Sequence, residues 1–346
     1  MDLASAPALP TLAPHAAPRQ ANEDGLRLVS PSEARESVFL AQWERLVDRA
    51  SEPNPFFEPW FLLPSLARCN AGESIRLKAY YRNGVLCGLM PVVRGARYYG
   101  YPVAHATGWL HDNAFCGAPL IARGCERDFW RALLKRFDDA PRCALFLHLP
   151  AIPADGPIGA ALEQVLAEDG RLSVTVDDQS RAMLASRLAP EDYLAQAMSA
   201  KKRKELRRQQ KRLSEEGALT FERCEDADGL EAWTCEYLAL EASGWKGEAG
   251  SALACARETE RFFIETLHGA AKAGRLERLT LRLDGKPIAM LANFLCPPGA
   301  FSFKTTFDER FARYSPGLLL QIENLELLGR SDIDWADSCA VQGHSM

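Results

Sequence analysis

The alternation of apolar and polar residues predicts two β-hairpins, at residues 75–93 and 279–295. Their turns are Asn-Gly and Asp-Gly, which suit two-residue hairpins because both turn positions take positive φ. Each hairpin follows a predicted helix that contains a tryptophan, at residues 38–49 and 229–241. The repeat predicts an α/β (α+β) fold of two related domains in tandem, and the alternative is two unrelated hairpins.

The remaining periodic segments predict further strands and helices around these hairpins. Residues 300–306 read as a strand with Phe301 and Phe303 on one face and Ser302 and Lys304 on the other. A Ser-Pro-Gly turn follows this strand and opens a helix, an arrangement that can present backbone N–H groups to an anion. Helices are expected at 129–137, 158–169, 190–217, 258–273 and 318–328, and short buried strands at 143–149 and 332–336.

Composition indicates a folded protein without a membrane span. The chain has 346 residues, of which 47% are apolar, and no run of 18 uncharged apolar residues occurs. The ten cysteines include no C-x-x-C pair, and the six histidines form no metal-binding motif, so no metal site is expected. Residues 1–25 are rich in Ala and Pro, lack the features of a secretory signal and are expected to form a disordered tail.

Charge is distributed unevenly along the chain. Its net charge is −5, yet residues 201–212 contain eight Lys or Arg and one Glu. The rest of the chain has 33 basic and 45 acidic residues, a balance of −12. This basic helix suits a nucleotide, an anionic lipid headgroup, an acidic polysaccharide precursor or a nucleic acid, and a solvated interdomain helix is the alternative. Nucleic acid is the least favoured partner because no aromatic side chains interleave with the cations.

A specific resemblance to a known family is carried by five segments, at 241–247, 283–289, 303–308, 313–319 and 337–340. They resemble the GNAT-type acyltransferases of the CelD-like group, which is associated with bacterial cellulose and exopolysaccharide synthesis. That group is related to the Fem peptidyltransferases, which have two GNAT-like domains in tandem.

The resemblance implies two GNAT-like domains, each a mixed and largely antiparallel sheet flanked by helices. It implies acetyl-CoA or another acyl-CoA as cosubstrate, with no permanently bound cofactor. The pyrophosphate is expected over the turn formed by Arg313, Ser315, Gly317 and Leu318. This turn has one glycine, whereas most GNAT enzymes have two in R/Q-x-x-G-x-G/A, so the acyl-CoA donor is inferred from the family alone.

The implied reaction is direct attack of an amine on the thioester carbonyl, followed by protonation of the leaving thiolate. Asp308 and Asp337 are the candidate bases, and Tyr314 is the candidate acid, with helix-entry packing as its alternative role. Lys304 is expected to hold an acidic group of the acceptor or to orient Asp308, unless it is a solvated strand lysine.

Further candidates for substrate binding lie in loops and in the basic helix. Trp245 and Lys246 occupy a Gly-bracketed loop that suits stacking on a sugar, although Trp245 can also cover a domain edge. His111 and Asp112 lie in a loop of the first half, where a stabilised turn is the alternative. The two arginines expected to contact substrate from the basic helix are Arg203 and Arg207.

The sequence therefore predicts a GNAT-type N-acyltransferase acting on an amino sugar of an exopolysaccharide or of its lipid-linked precursor. The expected domains are 26–190, a basic linker helix at 191–213, and 214–346, which ends short of a complete GNAT unit. The expected location is the cytoplasm, with peripheral contact at the inner membrane through residues 201–212. The alternatives are a Fem-like transferase that uses aminoacyl-tRNA and a non-catalytic GNAT-like module that binds an anionic nucleotide.

Overall fold

The computed structural model describes residues 24–139 and 144–340. Most of the expected tail at 1–25, the beginning of the expected strand at 143–149 and the last six residues lie outside these ranges. Within the described residues, the chain forms two six-stranded sheets with helices on their faces. No helix of this part is long and apolar enough to cross a bilayer.

The first sheet has the order β1-β2-β3-β4-β6, with β5 paired to β3. All of its pairs are antiparallel except β4 with β6, which run parallel. Its strands are β1 (Gly25–Val29), β2 (Arg76–Arg82), β3 (Val85–Gly95), β4 (His105–Gly108), β5 (Leu120–Ile121) and β6 (Leu147–His148). The helices of this half are α1 (Ser37–Val47), α2 (Pro59–Arg68), α3 (Glu126–Asp138) and α4 (Pro157–Glu168).

The second sheet has the order β7-β12-β11-β10-β9-β8, and its one parallel pair is β11 with β12. Its strands are β7 (Met183–Leu184), β8 (Leu219–Cys224), β9 (Leu276–Leu283), β10 (Lys286–Cys296), β11 (Gly299–Phe307) and β12 (Trp335–Asp337). The helices of this half are α5 (Pro190–Ala197), α6 (Ala200–Glu216), α7 (Leu230–Ala242), α8 (Trp245–Glu248), α9 (Arg257–Lys272) and α10 (Pro316–Asn324).

Both predicted hairpins are confirmed, as β2–β3 and β9–β10. Their turn residues Asn83, Gly84, Asp284 and Gly285 all have positive φ, as the Asn-Gly and Asp-Gly signals require. The helices that carry Trp43 and Trp233 are present as α1 and α7.

Some element boundaries differ from the prediction. The helix expected at 190–217 is two helices, since Ser199 is extended and its side chain caps α6 by accepting from the Lys202 amide at 3.3 Å. The helix expected at 318–328 begins at Pro316 and ends in a 3-10 turn after Asn324. Strand β7 lies before the boundary expected at residue 191, yet it pairs with β12 in the second sheet.

The two halves share one hydrophobic core. Phe56 and Phe61 of the first half face Phe294, Phe301 and Phe303 of the second, with ring centroids 5.8 Å apart for Phe56–Phe301 and 5.7 Å apart for Phe61–Phe303. These contacts are mostly edge-to-face, the favourable geometry for aromatic pairs. The packing fixes the first half against the face of the second sheet that carries Phe303.

A β-bulge in β11 overturns one prediction about its faces. Ser302 pairs with Asn293 and Lys304 pairs with Ala292, so Phe303 is an extra residue without a partner in β10. The bulge shifts the alternation by one position. Lys304 therefore lies on the same face as Phe301 and Phe303, not on the face of Ser302.

Candidate active site

The two parallel strands of the second sheet separate partway along β11, and we call the gap between them the cleft. Strand β12 pairs with β11 only from Gly299↔Trp335 to Phe301↔Asp337, and β11 continues to Phe307. Among the described strands, none pairs with this side of β11 beyond Phe301. Backbone groups here are open to a ligand, and Lys304 and Asp337 lie on the two strands that border the opening.

Lys304 places its ammonium group against aromatic rings rather than acids. Its Nζ lies 5.4 Å from the ring centroid of Phe115 and 5.7 Å from that of Phe303. Burial, followed by the positive charge of Lys246, lowers the pKa of Lys304 to about 8. Within the described residues it has no hydrogen bond or ion pair. The cleft therefore contains an ammonium group that is free to bind an anionic or developing negative group.

Asp337 is a buried carboxylate held from two sides. Arg181 Nη2 donates to its Oδ2 at 2.6 Å, and the Cys339 amide donates to its Oδ1 at 2.8 Å. Burial raises the pKa of Asp337, while the charge of Arg181 and the Cys339 N–H oppose that rise. Arg181 also donates to the backbone carbonyl of Phe115 at 2.5 Å. One arginine thus connects the carboxylate to the loop that covers the cleft.

That covering loop comes from the first half of the chain and contains His111 and Asp112. His111 Nε2 lies 3.0 Å from Ser65 Oγ, and burial followed by the charge of Lys304 lowers the pKa of His111 to about 4. Asp112 is exposed, and its charge raises the pKa of Lys304. The structure therefore places two predicted site residues from the first half close to Lys304, with His111 uncharged at neutral pH.

Lys246 and Trp245 border the same region from α8. Lys246 Nζ donates to the buried Glu241 carboxylate at 2.8 Å, and Glu241 also accepts from the Leu253 amide at 2.9 Å. Trp245 has an exposed indole ring, while its backbone N–H donates to Glu309 at 2.9 Å. The positive charge of Lys246 contributes to lowering the pKa of Lys304. The ring of Trp245 is exposed, and its role in stacking on a sugar stays a prediction.

Asp308 occupies a different environment from Asp337. It caps the 3-10 turn Glu309–Tyr314, accepting from the Arg310 amide at 3.0 Å and from the Arg310 guanidinium at 2.5 Å. These hydrogen bonds lower the pKa of Asp308. Its contacts favour a capping role, and its role as catalytic base stays a prediction.

Tyr314 and Arg313 both contact the end of α6. The Tyr314 hydroxyl donates to Glu216 at 2.5 Å, and Arg313 pairs with the same carboxylate at 2.9 Å. The bond to Glu216 raises the pKa of Tyr314. Tyr314 also packs with Leu213 and Leu320, in a hydrophobic cluster separate from the one that contains Phe303. Its role as acid stays a prediction, and its contacts direct the hydroxyl toward α6.

The turn expected to hold the pyrophosphate presents few free donors. Ser315 has φ +54°, and its carbonyl accepts from the Leu318 and Leu319 amides, both at 3.0 Å. Pro316 has no N–H, so the Gly317 N–H is the donor of this turn that no described backbone group accepts. The turn offers an anion one backbone N–H and the guanidinium of Arg313.

The basic helix α6 lies beside this turn. Gln209 Nε2 donates to the Arg313 carbonyl at 3.3 Å, and α6 is held by the buried side chains of Leu206 and Leu213. Arg207 is exposed, whereas Arg203 is half-buried and its Nε has no partner among the described residues. Neither arginine shows a contact with the residues around Lys304.

Arg181 and Phe115 belong to the cleft but were not among the sequence candidates. Arg181 follows a polar segment without periodicity, and Phe115 reads as an ordinary apolar loop residue. Their importance comes from contacts across the two halves, which no local pattern encodes. Among the described residues, no group of His, Cys, Asp and Glu side chains could hold a metal ion.

Comparison with known proteins identifies the class of this site. Residues 200–339 match the family model described as "Acetyltransferase (GNAT) domain". Residues 200–339 therefore resemble a GNAT acetyltransferase domain, and this similarity supports acyltransferase as the enzyme class. The match does not distinguish the CelD-like group from other members. Among curated proteins, none matches the chain.

Solved structures agree with the tandem fold. The crystal structure of FemX matches at 12% identity and a TM-score of 0.54, covering 86% of both chains. A conserved protein of unknown function from Bacteroides thetaiotaomicron VPI-5482 matches at 13% identity and a TM-score of 0.50, covering 89% of this chain and 91% of that one. At such identities the similarity shows the fold alone.

Proposed function

We propose that this protein is an N-acyltransferase that moves an acyl group, most simply acetyl, from acyl-CoA to an amino sugar of an exopolysaccharide or of its lipid-linked precursor. The observation that carries the proposal is that Lys304 and Asp337 lie on β11 and β12, the two strands that separate after Phe301↔Asp337. We propose that the protein acts in the cytoplasm, at the periphery of the inner membrane. The sugar acceptor rests on the family resemblance and on the exposed ring of Trp245.

The cleft supplies the groups that direct transfer needs. Asp337 accepts a proton from the attacking amine, whose nitrogen bonds to the thioester carbon as the carbon–sulfur bond breaks. Lys304 lies where an ammonium can stabilise the negative charge that develops on the carbonyl oxygen. With a pKa of about 8, Lys304 is also able to protonate the leaving thiolate, a role for which Tyr314 is the other candidate.

The donor site is proposed at the turn before α10. Arg313 and the Gly317 N–H bind the diphosphate of CoA, and Leu318 and Ser315 shape the turn. The pantetheine arm then follows the open side of β11 toward Lys304, where unpaired backbone groups can bind its amides.

Thiol release tests this function directly. Purified protein is incubated with acetyl-CoA and a panel of amino sugars, and free CoA thiol is followed over time. We expect acceptor-dependent release that Asp337→Asn abolishes. Calorimetry with CoA tests the donor separately, and absence of CoA binding would refute the donor assignment.

A second candidate function is aminoacyl transfer from charged tRNA. It is favoured by the row of cations on α6 beside the donor turn, and the FemX likeness is compatible with it. This function predicts tRNA binding that weakens steeply with salt, with the slope reduced when Lys204, Arg207 and Lys211 become Ala. Binding of tRNA that is unaffected by these changes would exclude α6 as the contact.

A further inference from the structure

A cluster of exposed aromatic and aliphatic side chains projects from the first half, outside the candidate active site. Tyr99 is 79% exposed, Tyr101 is 71% exposed and Leu145 is 76% exposed. Phe146 is next in the chain and is also exposed. We call Tyr98, Tyr99, Tyr101, Leu145 and Phe146 the aromatic tip.

The tip is a continuous, ordered surface. Tyr98 and Tyr101 exchange backbone hydrogen bonds of 2.9 and 3.0 Å across a two-residue turn at Tyr99-Gly100, where both φ values are positive. Tyr98 packs edge-on against Phe146, with centroids 4.8 Å apart. The Leu145 amide donates to the Ala104 carbonyl at 2.8 Å, which fixes that residue beside the hairpin. The fold therefore holds these apolar groups together in water.

The surroundings of the tip are cationic. Arg94 and Arg97 are exposed on the strand and turn that lead into it, and neither pairs with a carboxylate among the described residues. Burial, followed by the positive charges of Arg94 and Arg136, lowers the pKa of Lys78 on β2. A group of positive charges therefore lies behind the hairpin. Between residues 76 and 125 the chain has a single acidic side chain, Asp112, which lies at the active-site cleft.

We propose that the aromatic tip docks on the surface of an anionic phospholipid bilayer. Tyrosine rings are favoured at the headgroup level because one end is apolar and the other is polar, and Arg94 and Arg97 complement lipid phosphates. A protruding turn flanked by apolar side chains and arginines fits this interface. The basic helix α6 offers charge without an exposed apolar side chain, so it is expected to contribute at most a salt-sensitive attraction. The docking does not depend on the acyl-transfer chemistry.

Sedimentation with vesicles tests the proposal on the full chain. Phosphatidylcholine vesicles with and without phosphatidylglycerol are compared, and the native protein is expected to bind the anionic vesicles. A Tyr99→Ser, Tyr101→Ser double variant is expected to lose at least about tenfold in binding, given the apolar area of two tyrosines. The matched control is Leu172→Ser with Val174→Ser, which removes two apolar side chains elsewhere that are even more exposed, and it is expected to bind as the native protein does.

Two further measurements locate the contact. Hydrogen exchange on anionic vesicles is expected to show protection at residues 98–101 and 145–146. A Lys204→Glu, Lys211→Glu variant of α6 is expected to retain this protection. Native-like binding by the tip variant, loss of binding only in the α6 variant, or no binding of the native protein to anionic vesicles would each overturn the proposal. Acyl transfer to a soluble acceptor is expected to be unchanged in the tip variant, so failure of docking and failure of the proposed function are separate results.

Discussion

The two sheets share the order of five strands but differ at the place where their parallel strands meet. In the first sheet, β4 ends at Gly108, directly after its two pairs with β6. In the second sheet, β11 extends six residues past its last pair with β12. After the end of β4 the chain leaves the first sheet and continues as the loop that carries His111 and Phe115 over the cleft of the second sheet. The comparison teaches that, in the proposed function, one half of a repeated fold provides the catalytic groups and the other half covers them.

Removing the carboxylate on β12 is expected to have the largest effect. Asp337→Asn keeps the shape of the side chain but removes the proton acceptor, so kcat is expected to fall by about 10²–10⁴-fold. The measurement is acetyl-CoA turnover with the best amino-sugar acceptor. Asp308→Asn is the control at the other candidate base, and an equal loss there would show that both carboxylates act.

Replacing Lys304 is expected to separate activity from stability. Its pKa is lowered to about 8 in the folded protein, so the unfolded chain binds more protons between pH 8 and 10.5 and stability rises with pH through that window. Lys304→Met is expected to raise the free energy of unfolding at pH 7 by about 1–2 kcal/mol while reducing kcat strongly. Urea unfolding at several pH values checks the first effect.

The pH–rate profile tests whether the ammonium group of Lys304 takes part in the reaction. If the ammonium form acts, activity of the native enzyme falls as pH rises through about 8, and Lys304→Arg moves this limb to higher pH. An unchanged alkaline limb in Lys304→Arg would remove Lys304 from the chemistry.

Arg181 tests the connection between the two halves. Burial raises the pKa of Asp337 and the charge of Arg181 limits that rise, so Arg181→Met is expected to move the acidic limb of the pH–rate profile to higher pH. Loss of its bond to the Phe115 carbonyl is expected to reduce kcat/KM about tenfold. A purely structural role would lower stability without moving that limb.

A change inside the first sheet is expected to affect stability alone. A Cβ at Gly88 would lie 2.3 Å from the Phe129 ring, so Gly88→Ala is expected to cost about 1–3 kcal/mol of unfolding free energy. Thermal unfolding measures that cost. The folded fraction is expected to keep its kcat, and a large loss of kcat would show that the first sheet does more than cover the cleft.

Tyr314→Phe is expected to have the smallest effect. The change removes a hydrogen bond to Glu216 and is expected to lower stability slightly, with less than a tenfold change in kcat. Stopped assays with acetyl-CoA measure the rate. A loss as large as that of Asp337→Asn would establish Tyr314 as the acid.

The sequence was informative where the signals are local. The Asn-Gly and Asp-Gly turns located both hairpins, and Trp43 and Trp233 marked helices that are present. The predicted face of Lys304 was wrong because an extra residue in β11 shifts the alternation of side chains. No turn residue in the sequence indicates this bulge in the middle of the strand. Arg181 was missed because its importance depends on two partners more than 60 residues away in sequence.

The aromatic contacts between the halves bear on how the protein unfolds. Phe56 and Phe61 pack against Phe294, Phe301 and Phe303, and β7 completes the far edge of the second sheet. Residues 200–339, which match the acetyltransferase family, leave out part of this core and that strand. The segment that matches the family is therefore smaller than the unit held together by this core, and the two halves are expected to melt in one calorimetric transition.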